Sequence, residues 1–192
     1  SWTAPTTGTP SGYNWKVVAA GAGSGGTAVA SGSTTAPTVT ATATGLTAST
    51  SYDIYVQTNC GGSDLSTWVG PLSKTTPCAS TTVPFTQNFE SVTVPAIPTC
   101  ATTQNAGSGN NWVTSNNPGY GFTNKTLQYA FNSSNAANAW YYTQGLDLTG
   151  GTSYQLTFRY GNNGGTTYPE KLKVAYGTSN VNTAMTNTLA DY

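Results

Sequence analysis

A chain of 192 residues suits one large or two small domains, and its six Lys+Arg balance six Asp+Glu with no histidine at all. A net charge of zero with only 6% charged residues provides no basic footprint for a nucleic-acid backbone and no polybasic patch for an anionic membrane. The missing histidine removes Ser-His-Asp and Cys-His catalytic units and His-ligated zinc, and the few scattered acids argue against an enzyme.

Hydrophobic residues make up 36% of the chain, below the globular norm, yet aromatics reach 11%, enough to build a core and to argue against disorder. No stretch has the length and apolarity of a membrane span, and the opening Ser1-Trp2-Thr3-Ala4-Pro5 resembles neither a signal peptide nor a start site. The expectation is an internal piece of a longer polypeptide.

In chain order, short alternating runs bounded by Gly, Pro, Asn and Ser predict an all-β protein. The first runs are Tyr13–Val18, Thr38–Ala43, Tyr52–Gln57 and Trp68–Thr75, with a Gly/Ser-rich turn at Gly21–Gly26. In Gly45-Leu46-Thr47-Ala48-Ser49-Thr50-Ser51-Tyr52 a leucine precedes by six residues a tyrosine that opens an alternating strand. This resembles the tyrosine corner of fibronectin type III sandwiches, whose phenol bonds back to the upstream backbone. The resemblance covers residues 1–77, from Trp2, matching that family's strand-B core tryptophan, through Tyr13 and Trp15 to Lys74-Thr75-Thr76-Pro77. It assigns structural roles to Trp2, Leu46 and Tyr52, and it implies that a first strand is missing ahead of Trp2.

From Cys78 the character changes, so a second domain is expected over 78–192. Alternation places Leu127, Tyr129 and Phe131 on one face, then Trp140 with Tyr142, then Tyr154, Leu156, Phe158 and Tyr160, then Leu172, Val174 and Tyr176. The run Pro84-Phe85-Thr86-Gln87-Asn88-Phe89-Glu90, Pro98-Thr99-Cys100, Trp112 and Leu146-Asp147-Leu148 is similar to MAM-like jelly rolls of the cleaved-adhesin or choice-of-anchor J type. Further C-terminal strands follow in that family. Together the resemblances imply an immunoglobulin-like sandwich plus a jelly-roll β-sandwich. They imply a large secreted bacterial cell-surface protein exported by the type IX route, with other domains of the same polypeptide as neighbours.

If Cys60 and Cys78 end neighbouring strands of one hairpin they lie at opposite ends, on the order of 25 Å apart at ~3.3 Å per residue, too far for a disulfide. Cys78 with Cys100 is the expected bridge, and Cys60 is then buried and unpaired or bonded elsewhere. The MAM-like resemblance makes Glu90, with Asn88, a candidate calcium ligand; the alternative is a capping or solvent-facing glutamate. Sugar-stacking platforms are sought among aromatics that the alternation does not consume: Tyr120, Phe122, Tyr141 and Tyr168, each of which could instead be rim packing. Glycoside hydrolysis needs two facing carboxylates, and Glu90, Asp147 and Glu170 sit in no such setting. The function expected is non-catalytic adhesion to an extracellular glycan or surface protein. The alternative is a substrate-binding accessory region of a secreted hydrolase or peptidase, and a spacer without a ligand is the third possibility.

Overall fold

The computed structural model describes residues 1–162 and 170–192, and among them every regular element longer than one turn is a β-strand. The chain divides into two compact units, Ser1–Ala79 and Ser80–Tyr192.

The first unit is built on one antiparallel sheet. Its strands are β1 (Gly12–Ala19), β2 (Ala28–Thr35), β3 (Ser51–Gly61), β4 (Asp64–Leu65) and β5 (Val69–Thr75). β1 lies between β2 and β3, and β4 and β5 share the other edge of β3. The alternating run at Tyr13–Val18 becomes the central strand because both faces find cover: Tyr13, Val17 and Val18 are buried, as are Tyr52 and Tyr55 on β3. Trp2 meets Tyr13 edge-on at 5.6 Å and donates its backbone N–H to Val39 O at 3.0 Å. The Tyr52 hydroxyl accepts the Thr47 N–H at 3.0 Å, tying the approach to β3 back on itself. Leu46 is partly buried at the start of that approach.

One expectation for this unit is corrected. Thr38–Ala43 forms no strand; apart from Val39 O it makes no ladder, and alternation without a paired backbone does not make a sheet. The second strand is instead Ala28–Thr35, with a bulge opposite Val17/Val18. Its sequence lacks apolar periodicity, but Gly32 pairs with Trp15 and leaves room for the indole: a Cβ on Gly32 would stand 2.9 Å from Trp15 Cζ2.

Among the described residues the second unit holds four two-stranded pairings. They join β7 (Thr102–Asn105) to β10 (Ala139–Tyr142), β8 (Trp112–Ser115) to β9 (Thr126–Tyr129), and β12 (Lys173–Tyr176) to β13 (Asn187–Asp191), all antiparallel, and β6 (Thr81–Thr82) to β11 (Leu146–Asp147), parallel. Trp140 and Tyr142 stack at 6.2 Å, as their shared face requires, and Trp112 meets Tyr129 edge-on at 5.7 Å. Buried polar groups are matched. Thr114 Oγ1 donates to Ala96 O at 2.6 Å, and Gln104 Oε1 accepts both the Tyr142 hydroxyl at 2.7 Å and the Asn182 N–H at 2.8 Å.

In this unit too the alternation overreaches. Tyr154, Leu156, Phe158 and Tyr160 lie in no strand and stand 42–59% exposed, and Phe131 extends past β9 at 74% exposure. Among the described residues the run 154–160 has no ladder partner, and its Phe158 and Tyr160 rings meet one another and Tyr192 while staying largely accessible.

Candidate functional site

Tyr120 and Phe122 belong to one tight turn. Phe122 N–H bonds Gly119 O at 2.9 Å while Tyr120 and Gly121 take φ values of 53° and 85°, the left-handed pair of a type I′ hairpin turn. Glycine accepts that geometry freely at 121, whereas Tyr120 carries a side chain into it and projects outward, 71% exposed. Phe122 is held beneath: the Arg159 guanidinium lies 5.4 Å from its ring centre and donates to Gly121 O at 3.2 Å. The turn thus presents one free phenol on a fixed base.

The other expected residues are placed differently. Tyr141 lies edge-on to Phe89 at 6.1 Å, and burial pushes its phenol up to about 12, so its ring is engaged in packing and is no open platform. Tyr168 lies outside the described residues.

Around Glu90 the donor set does not fit calcium. Asn88 Oδ1 accepts the Glu90 N–H at 3.1 Å, and a Glu90 carboxylate oxygen accepts the Lys125 N–H at 2.9 Å. The Lys125 ammonium donates to Glu90 O at 2.9 Å and Val92 O at 2.7 Å. The carbonyls that would supplement a single carboxylate around a hard cation already face a positive charge. Among the described residues no cluster of three or more His, Cys, Asp or Glu could hold a metal. Glu90 and Lys125 form a cap between loops, the alternative reading of that glutamate.

Cys78 and Cys100 are joined in a disulfide, which fits an extracellular, oxidising setting. Cys60 is free and exposed, not buried: it lies near the end of β3, past the part of the strand that packs inward. No helix among the described residues is long and apolar enough to cross a membrane.

Sequence reasoning missed two features. The first is an unusually tied carboxylate: Asp53, only 5% exposed on β3, accepts from Ser73 Oγ at 2.5 Å and from Gly21 N–H at 2.8 Å. Those bonds, the Ser73 hydroxyl first, hold its pKa below 3.8. A lone aspartate inside the run Tyr52–Gln57 was the available signal.

The second is a repeat. Leu148-Thr149-Gly150-Gly151-Thr152-Ser153-Tyr154 matches Leu46-Thr47-Ala48-Ser49-Thr50-Ser51-Tyr52 at its Leu, both Thr, Ser and Tyr. The geometry repeats as well: Tyr154 OH accepts the Thr149 N–H at 2.8 Å, and both segments turn left-handed at the fourth residue, φ 53° at Ser49 and 79° at Gly151.

No family model, curated protein or solved structure matches the chain.

Proposed function

We propose that the chain is a non-catalytic adhesion segment of a large secreted bacterial cell-surface protein, contacting extracellular glycans or surface proteins. In this reading the first unit is a fibronectin type III-like sandwich and the second a MAM-like jelly roll, exported by the type IX route. The Tyr52–Thr47 bond and the antiparallel order β2-β1-β3-β5 support the first assignment. The second assignment rests on the run of residues 84–90 with Cys100, Trp112 and residues 146–148. The absence of histidine and the dispersal of the acids favour binding over catalysis.

The observation that carries the reading is the 119–122 turn. An aromatic ring 71% exposed at the apex of a hydrogen-bonded turn loses little conformational entropy when a partner stacks on it. The test is a glycan array, with fixed host and bacterial cells alongside, probed with the chain and with Tyr120→Ala. Saturable binding that Tyr120→Ala reduces supports the proposal. Absence of saturable binding to every glycan and cell surface overturns it.

A further inference from the structure

The outer side of the first sheet carries a shallow depression of about 420 Å³ that no expectation from sequence assigned. Asn14, Lys16, Trp15, Ser31, Ser33 and Trp68 line it. Its parts are fixed from below. Trp68 follows a segment pinned to β3 by three hydrogen bonds: Ser66 N–H to Thr58 O at 3.0 Å, Thr58 N–H to Ser66 Oγ at 2.9 Å, and Gln57 Nε2 to Ser66 O at 2.6 Å. Gln57 Oε1 accepts from Asn14 Nδ2 at 3.3 Å, which turns the Asn14 amide across the strand pair. β1 beneath is the best-buried strand of the unit.

The charge is the discriminating feature. The Lys16 ammonium sits 4.4 Å from the centre of the Trp68 ring and donates to Ser24 O. Both contacts are electron-rich, but neither is an anion, so the positive charge is held in place without being neutralised. Around it stand the Trp68 indole, the Asn14 amide and the hydroxyls of Ser31 and Ser33, which share the Lys16 face of the sheet. Indole faces take the apolar side of a pyranose, amides and hydroxyls take its hydroxyls, and an unneutralised ammonium takes a carboxylate.

We propose that this depression is a binding site for acidic saccharides, specifically sugars bearing a carboxylate. The proposal rests on the reading of the chain as a glycan-binding segment and places a second site on its first unit. Lys16, held over one face of Trp68, pairs the sugar carboxylate, the indole supplies apolar surface beside it, and Asn14, Ser31 and Ser33 hydrogen-bond the ring hydroxyls. The arrangement is built in advance, so the ligand does not have to order it.

The test titrates the whole chain with a galacturonic acid tetrasaccharide and, separately, with its methyl ester, which has the same shape without the charge. Calorimetry gives affinity, and the five indole N–H resonances, assigned by single Trp substitutions, report location. Expected are a shift of the Trp68 indole with the acid, an affinity about tenfold lower for the ester, and loss of that preference in Lys16→Met. Trp68→Ala is expected to weaken binding about tenfold. Should Trp68→Ala misfold, Lys16→Met carries the test, because it keeps the side-chain stem and removes only the charge.

The proposal is overturned if neither probe moves the Trp68 indole, or if acid and ester bind equally and Lys16→Met changes nothing. Array binding abolished by Tyr120→Ala but indifferent to Lys16→Met would sink this site while leaving the adhesion reading intact.

Discussion

Tyr52 shows how far a residue's neighbours in the chain can dictate its role. A tyrosine opening an alternating strand six residues after a leucine calls for a partner for its phenol, and Thr47 N–H provides it at 3.0 Å. Tyr52→Phe deletes the acceptor while keeping the ring, so a loss of about 1 kcal/mol is expected in urea unfolding. Tyr154→Phe removes the same bond at a side chain 43% exposed, where water replaces it, and a clearly smaller shift is expected. Equal losses in the two variants would mean that burial does not set the strength of this bond. Asp53 belongs to the same scale but was not legible, because its partners Gly21 and Ser73 are distant in sequence. Its folded pKa is depressed, so its contribution is fully present above 3.8 and is lost as pH falls through the lower folded value. Asp53→Asn is therefore expected to destabilise the protein at neutral pH and to flatten its acid unfolding curve, measured by circular dichroism between neutral and strongly acidic pH.

At the scale of elements, legibility followed burial. β1 and β3 could be read because they present apolar residues to a packed face, at Tyr13, Val17, Val18, Tyr52 and Tyr55; β5, exposed along its whole length, is the exception. β2 could not: Ala28–Thr35 carries no such pattern and owes its existence to the ladder with β1 and to the space Gly32 leaves for Trp15. Thr38–Ala43 and Tyr154–Tyr160 err the other way, since periodicity describes side chains and says nothing about which backbone is alongside. Close approach between elements supplies a further test. A Cβ on Gly177, just after β12, would collide with the carbonyl of Ala184 in the 3₁₀ turn Asn182–Ala184. Gly177→Ala is expected to cost about 1–3 kcal/mol, with the loss visible as faster amide exchange in β12 and β13. Unchanged exchange there would mean the turn moves aside freely.

For the molecule as a whole, the all-β class and the Cys78–Cys100 bridge were readable from composition and spacing, whereas the Lys125 cap on Glu90 was not. Nothing in the sequence announces that Lys125 reaches the carbonyls of Glu90 and Val92. With a lysine in that position, EDTA and millimolar calcium should leave the thermal midpoint unchanged; a rise of several degrees with calcium would contradict the cap. Replacing both Cys78 and Cys100 by serine opens a loop of about 20 residues and should cost roughly 3 kcal/mol in the chain-entropy model, read as a lower denaturation midpoint. The two Leu-Thr-x-x-Thr-Ser-Tyr segments have a use of their own. Thr47 and Thr149 are amides of the same residue type, each held by a phenol oxygen instead of a sheet ladder, one beside a buried ring and one beside an exposed ring. They form a matched pair of internal clocks: with the local chemistry held nearly constant, the ratio of their hydrogen-exchange rates isolates what enclosure alone does to the lifetime of a single hydrogen bond.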